Sequence, residues 1–320
     1  MLTEMADNRK KKAAAFAPAT VANVGCGYDV LGFAIHGLGD VVTVSFSEKP
    51  GVTIKSITGD DGRLPLDAEK NTAGLAAIAF LKKAGKTEIG IELEIEKKMP
   101  LGSGLGSSAA SSVASVVALN ELLGNPFTKN ELLPLSVEGE LAASGSPHAD
   151  NAAAALFGGF ILVKNHQPPD VISLHTPEKL HCTIIHPNIE IQTKNSRLIL
   201  KKQVPLEKAV KQWGNVGSLI VGLYTDDYDL IGRSLHDEII EPVRSLLIPG
   251  FKQMKAAALE AGALGCSISG SGPSLFALST SENRARKIGK EMGRVLEEID
   301  LKYTVHVSKI NTEGAAVVHE

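Results

Sequence analysis

Between Pro100 and Ala110 the chain reads PLGSGLGSSAA, a composition suited to holding an anion. Gly102, Gly104 and Gly106 leave the backbone bare enough for close approach to a ligand. Ahead of them Ile89, Ile91, Leu93 and Ile95 alternate with Glu92, Glu94 and Glu96, the period of a strand with one wet face. Behind them Ser108 to Leu123 is rich in Ala, Ser, Val and Leu, with no glycine or proline before Gly124, which predicts a helix. A glycine turn running from a strand end into a helix start aims unpaired N–H groups and the positive end of the helix dipole at one spot, where a phosphate can sit. The P-loop pattern is not met, since Ser107 stands five residues after Gly102 and no lysine follows. Nor is the dinucleotide fingerprint, which needs glycine where Ser107 stands. By residue types alone the loop is either a phosphate cradle or a connector.

Three other stretches carry residues capable of chemistry. Glu138, Glu140, His148 and Asp150 fall within 13 positions, as a metal-binding cluster or as a solvated helix end; the two-residue spacing of His148 and Asp150 suits no zinc site. Pro18 to Ile35 holds Asn23 and Asp29 among glycines 25, 27 and 32, the mark of a turn-rich loop. Leu264 to Leu278, LGCSISGSGPSLFAL, has P-loop spacing from Gly265 to Gly270, but Ser271 stands where lysine is required.

The elements that must position these residues alternate between strand and helix. Strands are expected at Ala13–Pro18, around Val42–Phe46 and at Gly51–Ile57, then a helix at Thr72–Ala84 capped by Asn71. After the glycine loop and its helix come an amphipathic helix at Lys129–Ala143 and a strand at Phe160–Val163. The polar, proline-bearing segment Asn165–Asp170 is the best boundary, dividing the chain into a flexible tail (1–12), an N-terminal domain (13–168) and a C-terminal domain (169–320). The second half reads as strands near Val171–Leu174 and Cys182–His186, helices at Leu206–Tyr224, Asp226–Asp237, Phe251–Ala261 and Glu282–Glu298, and a last strand at Lys302–Ile310. The hairpin-like beginning points to an α+β protein with a mixed sheet.

Composition excludes several classes. The 320 residues are 43% hydrophobic and 22% charged with a net charge of −3, which gives no electrostatic case for nucleic acid or an anionic membrane. Cys26, Cys182 and Cys266 are widely spaced and odd in number, so neither a disulfide framework nor a zinc site is expected, and a reducing, cytoplasmic setting fits. No apolar run approaches the ~20 residues of a membrane span. The basic start MLTEMADNRKKK has no apolar segment behind it and reads as a frayed tail rather than a secretory signal.

Taken whole, PLGSGLGSSAA resembles the phosphate loop of the GHMP kinases, the superfamily of galactokinase, homoserine kinase, mevalonate kinase and phosphomevalonate kinase. Pro18 to Asp29, PATVANVGCGYD, resembles the first motif as its homoserine kinases write it. Gly139 to Asn151, GELAASGSPHADN, is similar to the homoserine kinase signature, and Leu264 to Leu278 to the third motif, two strands around a Gly-Ser-Gly turn under the phosphate loop. The first motif, the phosphate loop and the third motif span about 260 residues in the family's order.

The resemblance implies a two-domain GHMP kinase fold, with a ribosomal protein S5 domain 2-like N-terminal domain and a ferredoxin-like C-terminal domain. It implies transfer of phosphate from ATP to the hydroxyl of L-homoserine, giving O-phospho-L-homoserine on the route to threonine. On this reading Pro100, Leu101, Gly102, Ser103, Gly104, Leu105, Gly106, Ser107, Ser108, Ala109 and Ala110 hold ATP, and Mg2+ is bound by Glu140 and Ser108, with Ser107 the less favoured hydroxyl. Asn23, Asp29, His148, Thr193, Arg197 (in T-K-x-x-R) and Arg244 (in E-P-x-R) surround the amino acid, the arginines facing its carboxylate. Where mevalonate kinase-type members carry an Asp, eleven residues after Glu140, this chain has Asn151. An amide cannot take a proton at neutral pH. Either Asp150 has moved into that role, or the proton passes to the phosphate or solvent as bonding proceeds, which a loose transition state favours. The implied partners are small molecules only, with a homodimer left open. Another GHMP kinase for an isoprenoid alcohol or a sugar, and an inactive ligand sensor, are the alternatives; the two arginines argue against the first, the intact loop and Glu140 against the second.

Overall fold

The protein is described by a computed structural model covering residues 11–144 and 149–319. In chain order its elements are β1 (Lys12–Ala22), β2 (Leu31–Ser47), β3 (Gly51–Thr58), α1 (Thr72–Lys83), β4 (Gly90–Glu96), α2 (Ser107–Leu122), α3 (Lys129–Ser144), α4 (Ala149–Phe157), β5 (Phe160–His166), β6 (Pro169–Leu174) and β7 (His181–Pro187). There follow α5 (Thr193–Leu198), α6 (Leu206–Thr225), α7 (Tyr228–Ser234), α8 (Glu241–Arg244), α9 (Phe251–Glu260), β8 (Gly265–Ile268), β9 (Leu275–Ser279), α10 (Glu282–Glu298), β10 (Tyr303–Lys309) and β11 (Ala316–Val318).

Two sheets carry the fold. The first has seven strands, with the path β11-β1-β2-β4-β3 and with β5 joining β2 to β6. Its axis is β2, whose 17 residues are long enough to pair β5 along Leu31–Phe33 and β4 along Val41–Ser47. Pairing is antiparallel except between β3 and β4, which run parallel across the crossover through α1. The second sheet is antiparallel in the order β10-β7-β9-β8, the ferredoxin-like order expected from the sequence.

α2 lies between the first sheet and α1 and α3, buried on nearly every side. Its small residues let it sit close to both layers, and its buried hydroxyls are paired: Ser112 donates to Ser136 O at 2.8 Å and Ser115 to Ala73 O at 2.9 Å, so burial leaves no polar group unsatisfied there. The cores of the two sheets meet at Phe33, which packs on Phe160 with ring centroids 4.8 Å apart and edge-on to Phe276 of β9 at 5.8 Å. The far face of the second sheet is covered by α9 and α10 through Met254, Ile288, Met292 and Leu296.

The structure differs from the sequence reading at several places, among them β2, which already begins at Leu31 inside the expected loop. Asn165–Asp170 is not a linker but the turn region of the β5–β6 hairpin, in which Asn165 pairs with Asp170. A boundary at 168/169 therefore cuts a hairpin of the first sheet, and β6 belongs with the N-terminal half. β1 runs on to Ala22, beyond the expected end at Pro18, because a register shift between Pro18 and Thr20 absorbs the proline and pairing with β2 resumes. The returning strand β11, which pairs with the outer edge of β1, was not foreseen. Of the expected tail, residues 1–10 lie outside the described residues, and Lys12 already begins β1.

Candidate active site

The glycine loop leaves β4 and enters α2 with Gly106 as N-cap, at φ 70° and with no side chain capping the helix. The first N–H groups of α2 thus open into a cavity, free of the side-chain acceptor that ordinarily occupies them. Beneath the loop lies a buried charge network that the sequence reading missed. The Asp40 carboxylate accepts from Lys97 Nζ, from Ser107 Oγ at 2.9 Å, from Ser111 Oγ at 3.1 Å and from the Lys98 backbone N–H at 3.0 Å. Lys97 Nζ also donates to Ser107 O at 2.9 Å and to Ser111 Oγ at 2.7 Å. Asp40 is wholly buried and Lys97 nearly so, so each depends on the other for compensation. Replacing Asp40 by Asn is expected to cost about 3–5 kcal/mol, because the lysine charge stays buried against a neutral partner. Urea unfolding checks this, and a change within error would mean that the pair does not hold the loop.

The loop is also docked from the second sheet. Ser269 Oγ donates to Gly104 O at 2.8 Å, and the Ser274 N–H to Ser103 O at 3.2 Å. Gly104 has φ +78°, and a Cβ there would lie 2.4 Å from Ser269 O and 2.9 Å from Gly272 N. Its bareness therefore serves the contact between loop and turn, in addition to any ligand. Ser103 lines the cavity, and its buried Oγ has no hydrogen-bond partner.

α3 delivers the acidic group. Gly139 lets α3 approach its neighbours, since a Cβ there would lie 2.7 Å from Thr72 O and 2.8 Å from Ser112 Oγ. The next residue, Glu140, is buried and accepts from Ser108 Oγ at 2.5 Å. Ser107 and Ser108 thus face different carboxylates, Asp40 and Glu140 in turn. On α4, Asp150 is buried and its Oδ1 accepts from the Asn151 N–H at 3.0 Å. The Thr20 hydroxyl donates to Asn151 Oδ1 at 2.7 Å, which fixes the orientation of the amide.

Across the cavity from α2 sit the residues suited to an amino acid. Arg197 grips Asp29 with a fork, Nη1 to Oδ2 at 3.0 Å and Nη2 to Oδ1 at 2.8 Å, and Nη1 also reaches Tyr28 Oη at 3.1 Å. Burial alone would lower the Arg197 pKa, but the hydrogen bonds and charge of Asp29 outweigh it and the net shift is upward. Arg244 is buried, donates to Gly270 O at 2.9 Å and lies over the Tyr28 ring at 5.1 Å. Desolvation pulls its pKa down, yet a guanidinium stays charged at any physiological pH. Asn23 bridges the halves: Nδ2 donates to Gly270 O at 2.7 Å and Oδ1 accepts from the Asp29 N–H at 3.0 Å. Thr193 Oγ1 is 3.3 Å from Ser271 Oγ.

These residues surround one cavity of about 530 Å³. Leu101 to Ala109, Asn23, Asp29, Glu140, Asp150, Asn151, Thr193, Arg197 and Arg244 all line it. Two loop residues do not: Pro100 is exposed at the loop's outer end, and Ala110 is buried in the core under α2. His148 lies outside the described residues. Beyond the loop the cavity continues between Leu64, Pro65 and Ile95, and an Arg63–Glu190 ion pair of 2.8 Å joins its two rims. A helix start, one buried carboxylate beside a hydroxyl, and a cationic pole opposite give a site that can hold a phosphate chain at one end and a zwitterion at the other.

The GHMP kinases N terminal domain family matches residues 71–159, and the GHMP kinases C terminal family residues 219–298. Among curated proteins, the homoserine kinase of Chloroherpeton thalassium is 49% identical, with 96% of this chain and 100% of that protein covered. The homoserine kinase of Arabidopsis thaliana is 42% identical over 95% of this chain and 84% of its own length. Among solved structures, homoserine kinase from Cytophaga hutchinsonii superposes with a TM-score of 0.95 at 57% identity, covering 98% and 99% of the two chains. L. major mevalonate kinase in complex with R-mevalonate, 17% identical with a TM-score of 0.71 over 94% of this chain and 98% of its own, shares the fold.

Proposed function

The chain belongs to the GHMP kinases, and within them to the homoserine kinases, and from that membership we propose how the cavity described above holds ATP and L-homoserine for direct phosphoryl transfer. The observation that carries the reading is the meeting of an uncapped helix start with a buried Glu140–Ser108 pair in a cavity whose far side is lined by Arg197, Arg244 and Asp29.

The triphosphate lies against the first turn of α2 and the loop Leu101–Ser108, where backbone N–H groups and the Ser103 hydroxyl receive its oxygens. The base extends toward Leu64, Pro65 and Ile95. Glu140 and Ser108 fit Mg2+, which takes few protein oxygens and fills its shell with phosphate and water; among the described residues no group of three or more His, Cys, Asp and Glu gathers as for a protein-only metal cage. When bound, the ion neutralises charge on the phosphate oxygens. Ser107 is the weaker candidate because its hydroxyl already donates to Asp40.

The amino acid meets a preformed pair of opposite charges. Its ammonium is received by Asp29 and its carboxylate by Arg197 and Arg244, so the zwitterion inserts into an ion pair rather than facing one uncompensated charge. The hydroxyl is oriented beside Asn151, whose Oδ1 is held by Thr20. Asn151 cannot deprotonate it, and the proton leaves toward the phosphate or solvent as the bond forms, since phosphoryl transfer needs positioning more than prior deprotonation. A coupled ADP-release assay across homoserine, mevalonate, shikimate and galactose tests the substrate. Turnover confined to homoserine is expected, and faster turnover of another alcohol would overturn the assignment. In the same assay Ser108→Ala is expected to raise the Mg2+ concentration needed for half-maximal rate, and Ser107→Ala to leave it unchanged.

A further inference from the structure

The segment joining α7 to α8 carries a carboxylate that does not line the cavity. Asp237 is buried, and its oxygens are taken up by the chain itself. Oδ1 accepts from the Ile239 and Ile240 N–H groups, each at 2.9 Å, and from the Gln212 amide at 3.0 Å; Oδ2 accepts from the Glu241 N–H at 2.9 Å. Glu241 opens α8, whose N-cap residue Ile240 supplies no capping side chain, so Asp237 does the work of a cap from three residues further back. α8 is four residues long and ends in Arg244. A single turn does not hold its direction unaided. Glu241 fastens it a second time, accepting from Lys255 Nζ and from Ser267 Oγ at 2.6 Å.

Asp237 is also tied to the acidic pole of the site. Gln212 of α6 donates from Nε2 to Asp237 Oδ1 and to Cys26 O, the latter at 2.7 Å, while its Oε1 accepts from the Glu238 N–H at 2.9 Å. Cys26 belongs to the turn between β1 and β2 that also holds Asp29. Turn and segment touch through their backbones: at Gly25, with φ +67°, an added Cβ would lie 2.5 Å from Leu235 O. Asn23 of the same turn and Arg244 meet again at Gly270 O, at 2.7 and 2.9 Å. Asp29 and Arg244 are thus linked by two routes, one through Gln212 and Asp237 and one through Gly270 O. We propose that Asp237, oriented by Gln212, is a positioning residue for substrate recognition: it fixes the Arg244 guanidinium relative to Asp29, so that the site reads the ammonium and the carboxylate of the amino acid together. The proposal rests on the assignment of Arg244 to the carboxylate.

The test uses the full chain with homoserine and homoserine methyl ester. Asp237→Asn is expected to raise the KM for homoserine roughly tenfold or more, because an amide cannot accept from all the donors that the carboxylate holds. It is also expected to narrow the preference for acid over ester and to leave the KM for ATP within about twofold of wild type. A role confined to stability would lower the melting temperature and the active fraction, reducing kcat with both KM values at wild type, and that result overturns the proposal. Combined with Arg244→Leu, Asp237→Asn should cost little more than Arg244→Leu alone, since it acts through that arginine; additive losses in this cycle overturn the proposal. Gln212→Met keeps the length of the side chain and loses its amide. It is expected to shift the homoserine KM and the acid-to-ester preference in the same direction, and it decides the matter if Asp237→Asn does not fold; wild-type values in Gln212→Met would then overturn the proposal. Arg244→Leu alone separates the two levels of the reading. If it keeps the wild-type preference for acid over ester, the carboxylate assignment fails and the positioning role with it. If Arg244→Leu loses that preference while Asp237→Asn keeps it, the positioning role alone fails.

Discussion

Glu140→Gln is expected to keep the melting temperature within a few degrees of wild type and to lower kcat by ~100-fold or more. The side chain is isosteric and the Ser108 hydroxyl still finds an acceptor at the amide oxygen, so packing of α3 against α2 is retained. What is lost is the negative charge at the point proposed for the triphosphate and its cation. The effect should appear in kcat and in the apparent affinity for Mg2+, while the KM for homoserine, read by groups on the far side of the cavity, stays near wild type. Steady-state kinetics at several Mg2+ concentrations separates the three. A variant with near-native kcat at limiting Mg2+ would remove Glu140 from the metal site.

Arg244→Leu is expected to lower kcat/KM for homoserine by an amount equivalent to roughly 2–5 kcal/mol, the loss typical of truncating one partner of a buried charge-assisted pair. Arg244 is the arginine to test first because Arg197 is already forked onto Asp29, so removing Arg197 would also strand a carboxylate. Lysine at 244 should rescue only in part, since a point charge cannot make the fork. ATP affinity, set by the loop and α2, should be nearly unchanged by calorimetric titration. Homoserine methyl ester gives the independent check. Wild type should discriminate strongly against the ester, and Arg244→Leu far less, having lost the partner for that charge. Equal turnover of acid and ester by wild type would mean that the carboxylate is not read at all.

What the sequence made legible was whatever depends on local pattern. The glycines of the loop, the alternation in β4, the Asn71 cap of α1 and the apolar spacing of α9 and α10 each act over a few residues, and each appears where the pattern puts it. Glu140 and the residues on the arginine side of the cavity were reachable through the motif resemblance, because their neighbours in sequence are distinctive. Asp40 and Lys97 were not. One sits at the start of an apolar run in β2, the other in a lysine doublet at the end of a glutamate-lined strand, and either alone reads as a solvated charge. Only the pairing of β2 with β4, 57 positions apart at the Lys97–Asp40 contact, makes them a buried pair. The Arg197–Asp29 fork is hidden for the same reason, spanning 168 positions. The loop motif in turn overstated the site at both ends, since Pro100 and Ala110 are there to shape the turn and fill the core. Asn165–Asp170 misled because proline and polar residues mark a tight hairpin turn as readily as a linker.

The pairing of β11 with β1 bears on how the molecule is made. β1 precedes β11 by 300 positions at the Phe16–Ala316 pair, so that pairing waits for the intervening chain to be synthesised. Until then Ala14–Phe16 of the first sheet present one unpaired edge, the kind of surface on which nascent chains adhere to one another. Closing that edge belongs to a three-residue strand. Expression hosts rich in chaperones that shield strand edges should therefore raise the soluble yield, and truncations just short of Ala316 should lower it without touching a single residue of the catalytic cavity.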